Sequence, residues 1–395
     1  MKLMTYRLIT LLLLAFVLAA CAPGSTASPS TPSVTPQPSQ ASASPSAAPT
    51  ISAAPIPVVV FERATVPAPE MGSAVTAVAP GGDGLVAVGF DGRFGNTLWT
   101  SADSRTWRDV TPSEFASFGI ASIIATSDGR LIGVGRANTI DVDAETAAAF
   151  VSEDGLTWRV AREAADLSGQ MIDVVETDDG FFAVGGVPGA DSAGVWHSPD
   201  GESWARIGED VPAAFFWSIA ERGPGLVIAG WRRNPEPDAA VWTSADAGQS
   251  WMLATDPELG ELAEGTDVLA TDAGSLIMVG GSFTGEGARI WTSADSANWP
   301  LADVDGDLAN ATVRNVVATP IGHLAVGAIG TDAAAWLSTD GGATWAPFGD
   351  PVPDAYFHNA FVSDGDLLLL GVTQTGTVET GIDSRAMIWT ATLSR

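Results

Sequence analysis

One phrase recurs six times along this chain: an apolar run ending in Trp or Phe, then x-Ser-x-Asp, then a second Trp. The copies close at Trp107, Trp158, Trp204, Trp251, Trp299 and Trp345. A period of about 45 to 50 residues over most of the chain marks a repeat architecture, and it constrains the fold more than any other feature. Upstream of each phrase lies a second element: an apolar run, a turn at Asp-Gly or a lone Gly, and another apolar run ending in Gly. It occurs seven times, closing at Gly89, Gly135, Gly185, Gly230, Gly280, Gly327 and Gly371. Gly between apolar runs is a hairpin signal, because it accepts positive φ without a Cβ clash. One repeat therefore reads strand, tight turn, strand, loop, strand, Ser-x-Asp turn, strand. Four short antiparallel strands in a repeat of this length make a propeller blade.

The seventh repeat stops at its third strand, around Met387 to Leu393. A spare strand-like run, Ile56 to Val66, precedes the first repeat. Pairing the two closes the ring and removes an exposed sheet edge. The expected fold is all-β: a seven-bladed β-propeller with four-stranded antiparallel blades, closed by an N-terminal strand that joins the last blade. Val58 to Phe61 is the segment expected to ladder beside Trp389.

In the Ser-x-Asp turn, both side chains can bond backbone N–H groups one or two residues on. Gly follows in four of the six copies, where positive φ is expected. The phrase resembles the Asp-box, or BNR, repeat of sialidase-like propellers, whose pattern is S-x-D-x-G-x-x-W. Ser244, Asp246, Gly248 and Trp251 match it, as do Ser338, Asp340, Gly342 and Trp345; the other four copies are one residue shorter. The resemblance spans about residues 57–395 and is specific for fold, not for activity. It implies that the boxes join third and fourth strands on the face away from the ligand. Asp103, Asp154, Asp200, Asp246, Asp295 and Asp340 are then structural, and the ligand face is built from loops after the second strands and before the first. A sialidase of this superfamily would also need an arginine triad, a Tyr nucleophile with a Glu partner and an Asp acid. The family's Arg-Ile-Pro motif is absent, and no Glu shares the loop of Tyr356. No catalytic residue is assigned.

The N-terminus carries Lys2 and Arg7, an apolar run to Ala20, and then Cys21. This reads as a secretory leader and not a membrane span, because the run is short and a processing site follows. Leu18-Ala19-Ala20-Cys21 resembles a bacterial lipobox, implying cleavage after residue 20 and lipid on Cys21. Residues 21–55 are then a lipidated Cys and a Ser/Pro/Ala/Thr-rich linker with no capacity for a core, and 56–395 the propeller. The expected location is extracytoplasmic, on a bacterial membrane. Losing Lys2 and Arg7 takes the net charge from −29 to −31. Such acidity argues against a nucleic-acid partner, which needs a basic stripe.

Twelve of the 14 Trp fill repeat slots, in third strands or at box ends. Trp217 and Trp231 do not. Both belong to blade four, beside Phe215, Phe216, Arg232 and Arg233, and this group can stack a sugar ring or seat a carboxylate. The alternative is that the rings pack between blades three and four. Seven positions before each first-hairpin Gly stand Ala77, Ser122, Asp173, Ser218, Asp267, Asn315 and His358. These are expected to line the upper channel with Arg314 and Tyr356 nearby. No cofactor is expected except calcium, for which Asp303, Asp305 and Asp307 alternate as a hard cation prefers; Asp141, Asp143 and Glu145 form a similar run. The sequence supports a lipid-anchored, non-catalytic propeller binding an envelope or extracellular protein or glycan. The alternatives are a sialidase-like glycoside hydrolase and an assembly or scaffold factor for an envelope complex. Convergence of Tyr356 with a Glu, or of two carboxylates, on the ligand face is the feature that separates the first two.

Overall fold

A computed structural model describes residues 59–393, apart from 68–70, 92–94, 114, 116–117, 138–145, 162–168, 188–191, 234–235, 261, 284–286, 303, 305, 364 and 378–380. The described residues form seven antiparallel sheets, six of them built from consecutive strands. The first strands of the blades are Ser73–Gly81, Phe118–Ala125, Gln170–Thr177, Ala214–Arg222, Ala263–Ala270, Ala311–Thr319 and Ala355–Ser363. Six sheets have four strands. Blade five has three, and its fourth is reduced to a single bridge, Trp291 with Leu301. Pro300 sits at the point where the ladder would continue, and it has no N–H to give.

The last blade takes its outer strand from the N-terminus, as expected, but further along the chain. Glu62 and Arg63 pair with Thr390 and Trp389, in place of Val58 to Phe61. Val58 lies outside the described residues. Val59 and Phe61 instead pack against the core between blades six and seven, with Phe61 edge-on to Phe357 at 5.7 Å. The apolar side chains are worth more there than on an outer edge, so the ladder falls to the polar pair that follows. Beyond it, Thr65 N–H bonds Arg105 O at 2.7 Å and Trp107 N–H bonds Thr65 O at 2.9 Å. The closing segment therefore ties blade seven to the first box turn.

The core is divided into seven layers, one at each seam between blades. Each third-strand Trp, or Phe150 in blade two, lies on the aliphatic face of the preceding blade and is at most 3% exposed. Small residues such as Ala147, Ala149, Ala239 and Ala333 line the facing side and let the indoles in.

A bulge interrupts every first strand at the same level, between Val75 and Ala77, Ile120 and Ser122, Met171 and Asp173, Phe216 and Ser218, Gly265 and Asp267, Val313 and Asn315, and Phe357 and Asn359. The recurring Gly within each second strand makes room for this bulge. A Cβ on Gly327 would stand 1.8 Å from Thr312 O, and one on Gly371 would stand 2.1 Å from Tyr356 O. Only Gly lets the bulged strand come so close.

Candidate functional site

The bulge gives each first strand one extra residue that the ladder does not claim. Around the ring these are Thr76, Ala121, Ile172, Trp217, Thr266, Arg314 and His358. One step earlier on the same side stand Ala74, Gly119, Gln170, Phe215, Glu264, Thr312 and Tyr356. All but Gly119 are partly exposed. Together they form two stacked tiers of the inner wall on the side away from the boxes. The two tiers are lopsided. Blades one and two supply Ala74, Thr76, Gly119 and Ala121, with the stem of Arg136 lying over Gly119. Blades four to seven supply the aromatic and charged groups.

Those groups are bonded to each other across three seams. The Trp217 indole N–H donates to Glu264 Oε2 at 3.2 Å. Arg314 Nη1 donates to Glu264 Oε1 at 2.8 Å, and Arg314 Nε donates to the Tyr356 hydroxyl oxygen at 2.9 Å. The side chains of Arg314 and Glu264 remain 25% and 12% exposed. Burial disfavours the Arg314 charge, but Tyr356 and Glu264 beside it outweigh burial and raise its pKa above the ordinary value. His358 Nε2 donates to Val75 O in blade one. Burial first, and then the Arg314 charge, push its pKa down, which keeps the imidazole neutral. The Phe215 and Trp217 rings lie 4.5 Å apart. Sequence reasoning found Arg314 and Tyr356 but missed Glu264, which lies on another blade at the level of Tyr356. Counting back from the recurring Gly does not align the two, because Glu264 stands 16 positions before Gly280 and Tyr356 stands 15 before Gly371.

Below this level runs a belt of polar side chains that join blade to blade. Asp267 accepts from Ser218 Oγ at 2.7 Å, Asn315 Nδ2 at 2.7 Å, Val268 N at 3.0 Å and Val316 N at 2.9 Å. Asp173 accepts from Ser122 Oγ, Val174 N and Ile219 N. Asn315 accepts from Ala360 N, and Asn359 Nδ2 donates to Thr76 O. The recurring polar slot is thus an inter-blade clasp. In blade seven Asn359, not His358, fills it, because Asp366 there occupies the place held by Gly84 in blade one. His358 moves up one position into the bulge. Burial drives the Asp267 carboxyl up to about 6, with Asp173 contributing. Burial likewise raises Asp173.

The blade-four group does not form one platform. Trp217 turns toward blade five, while Trp231 lies T-shaped to Phe283 of blade five at 6.3 Å with Arg233 over its ring at 5.7 Å. Neither indole is fully buried, and neither contact is to blade three. Arg232 alternates to the opposite sheet face, opposite Ala214 in the ladder. Asp303 and Asp305 lie outside the described residues, as do Asp141, Asp143, Glu145 and Cys21. Asp307 precedes a short 3-10 turn, Leu308–Asn310, without capping it. Among the described residues, no group of three His, Cys, Asp or Glu is placed to hold a metal.

All six boxes form Ser-to-Asp hydrogen bonds of 2.8 to 3.4 Å. Each Asp then accepts the N–H groups that close its turn, for example Thr157 at 2.6 Å and Thr344 at 2.9 Å. Five closing Trp donate their indole N–H back into the turn at 3.0 to 3.1 Å. Trp251 is the exception and has no acceptor among the described residues. Positive φ occurs in every box, at Ser104 and Ser296 as well as at the glycines. On this face, a cavity of about 260 Å³ between blades three and four is lined by Asp178, Asp179, Glu221 and Phe182 among others. Burial, then Asp178 and Asp179, raise the Glu221 pKa.

No protein-family model and no curated protein sequence matches the chain. Among solved structures, it is similar to the β-propeller domain of the trilobed protease from Pyrococcus furiosus, described as having an open velcro topology. The TM-score is 0.51 at 11% identity, covering 82% of this chain and 98% of that one. An α-L-arabinanase of Penicillium chrysogenum complexed with arabinobiose gives 0.47 at 11% identity, covering 85% and 99%. An α-L-arabinofuranosidase of Fusarium graminearum complexed with an iminosugar inhibitor gives 0.49 at 13% identity, covering 84% and 97%. The first of these likenesses shows the propeller fold and nothing finer.

Proposed function

We propose that this chain is a lipid-anchored, extracytoplasmic propeller that holds an envelope or extracellular glycan or protein at its channel mouth without turning it over. The observation that carries the reading is the bonded series Trp217, Glu264, Arg314, Tyr356. It places ring faces, a carboxylate, a guanidinium and a hydroxyl on one wall, the mixture a binding site needs. The same series argues against turnover. Glycoside hydrolysis uses a pair of carboxylates flanking the bond. Here Glu264 is held by Arg314 and Trp217, and the inner-wall carboxylates Asp173 and Asp267 are occupied by the belt. The anchor rests on the leader and Cys21. Lipid at that cysteine would tether the propeller through the linker.

One observation favours a second reading, a sialidase-like glycoside hydrolase. Tyr356 and Glu264 do converge, both on Arg314. Against it, no carboxylate among the described residues accepts the Tyr356 proton, so the phenol lacks the base that would make it a nucleophile. Incubating the full mature chain with aryl glycosides, sialosides included, separates the two. The binding reading expects no release of the aryl group. Release that disappears in Tyr356→Phe would establish the hydrolase.

A further inference from the structure

We infer that the ligand of the channel mouth is a neutral sugar ring at the end of a glycan chain, and not an anionic sugar. The inference rests on the reading of this wall as a binding site, and the charges on the wall decide it. Glu264 and Arg314 neutralise each other through a 2.8 Å bond, and His358, beside Arg314 in the same tier, is kept neutral by burial and by that same charge. An incoming carboxylate bonded to the remaining Arg314 N–H groups would sit beside Glu264, with like charges in close approach on a guanidinium that Glu264 already neutralises. A neutral polyol meets no such repulsion. Among the described residues, the Tyr356 hydroxyl hydrogen and Arg314 Nη2 have no acceptor, and Glu264 has lone pairs beyond its two donors. Donors and an acceptor of this kind match the alternating roles of sugar hydroxyls.

Shape points the same way. Phe215 and Trp217 are stacked in adjacent tiers, and both keep part of their surface exposed. Sugar rings present apolar C–H faces that pack on aromatic rings. On the far side of the ring, blades one and two contribute Ala74, Thr76 and Ala121, with the Arg136 stem over Gly119. The room in the mouth therefore lies opposite Glu264 and Arg314. Two tiers two residues apart along a strand span about 7 Å, a depth that takes one sugar ring and not a chain lying across it. Gly186 supports the arrangement: a Cβ there would stand 2.5 Å from the Phe215 ring.

The test is calorimetric titration of the full mature chain with methyl glycosides of glucose, galactose and mannose and with N-acetylglucosamine, against N-acetylneuraminate and glucuronate. The expected result is binding of at least one neutral sugar, with both anions at least about tenfold weaker. Glu264→Gln should weaken the neutral sugar about ten- to a hundredfold, the cost of losing a charged acceptor. Trp217→Phe should retain most of the affinity and Trp217→Ala should lose it. Unfolding midpoints of the three variants verify folding, and Trp217→Phe carries the test if Trp217→Ala fails to fold. Anion binding as tight as neutral binding, or anion binding that improves in Glu264→Gln, overturns this inference and leaves the binding reading intact. No sugar bound, but a protein captured by the same wall, does the same. Turnover of any of the glycosides overturns the binding reading itself.

Discussion

Arg314 Nε donates to the Tyr356 hydroxyl at 2.9 Å across the seam between blades six and seven. The same guanidinium reaches back across the previous seam to Glu264. One side chain thus holds three blades at the channel mouth. Removing it strands a carboxylate that is only 12% exposed. Arg314→Met should therefore cost about 2–3 kcal/mol, below the range for a fully buried pair because both groups keep some contact with solvent. Adding Glu264→Gln should recover part of the loss. A double-mutant cycle by urea unfolding measures the coupling. Strictly additive losses would mean the pair contributes nothing as a pair.

The box turns divide their work unevenly between Ser and Asp. Ser338 is fully buried and its Oγ accepts the buried Gly342 N–H at 2.8 Å. Asp340 is exposed and accepts the exposed Thr344 N–H, a donor water can also serve. Ser338→Ala should cost about 1–3 kcal/mol and Asp340→Ala about 0.5–1.5 kcal/mol. Burial opposes ionisation of Asp340, but the Thr344 and Ser338 bonds outweigh it and lower its pKa. A lowered carboxylate pKa contributes stability above the unfolded value, which is lost as pH falls through the folded one. The cost of Asp340→Ala should therefore be greatest at neutral pH and shrink in acid, so the gap between the two variants widens as pH falls. Thermal unfolding at several pH values checks both the order and the trend.

The sequence made the blades, the third-strand Trp slots and the boxes legible, because each is set by local chemistry that repeats. The closing strand was legible in outline only. Its register was settled by Phe61 finding Phe357, a partner almost three hundred residues away. The channel mouth was the least legible part. Glu264, Arg314 and Tyr356 belong to three different repeats and occupy two different tiers, so no local pattern links them. His358 was misplaced by one position because the Ser363-to-Asp366 turn sets its glycine one position early. Trp217 and Trp231 stood out as spare, but spacing alone could not say that the bulge sends one into the channel while the ladder leaves the other at a seam.

Asp267 should make stability fall as pH rises. Its carboxyl is raised from an ordinary value of 3.8 to about 6, by burial first and by Asp173 next. Ser218, Asn315 and two backbone N–H groups face it and partly offset the burial. Below pH 4 both folded and unfolded forms are protonated. Between about 4 and 6 only the unfolded form releases its proton, so unfolding is favoured as pH rises, and above 6 the effect levels off. The sign is opposite to that of the box carboxylates. Asp267→Asn should flatten the slope in this window, whatever it does to absolute stability. An unchanged slope in chemical denaturation from pH 4 to 6 would sink the assignment.

The closing segment should hold the ring through its aromatic residue more than through its two-residue ladder. Phe61 meets Phe357 at 5.7 Å and Phe348 at 6.3 Å, whereas the ladder itself pairs only Glu62 and Arg63. Phe61→Ala should cost about 1.5–3 kcal/mol for a half-buried ring. Glu62→Ala, at an exposed position, should stay within about 0.5 kcal/mol of the parent. Amide exchange at Ala64, whose N–H bonds Ile388 O at 2.9 Å, should quicken in the first variant and not in the second. Equal effects would place the closure in the ladder.

The recurring Gly should be the residue on which the channel mouth depends most, although it meets only the backbone of that wall. Gly327 accommodates Thr312 O, which would stand 1.8 Å from a Cβ. Thr312 is two residues before Arg314, so the carbonyl and the bulge must move together. Nothing flexible is available to yield, because the clashing atom is backbone. Gly327→Ala should cost at least about 3 kcal/mol, the upper end of overpacking, and should displace Arg314 from Glu264 and Tyr356. Gly330→Ala is the control. Gly330 has φ of 58° and open space where its Cβ would be, so the change should cost only the left-handed penalty of about 1–2 kcal/mol. If the two variants unfold alike, the bulge does not need its Gly. If Gly327→Ala loses stability but keeps the Arg314 contacts in a crystal structure, the strand absorbs the clash without passing it to the site. The expected result is that both fail together, because the same close approach of backbones that shapes the strand also turns the bulged side chain into the channel.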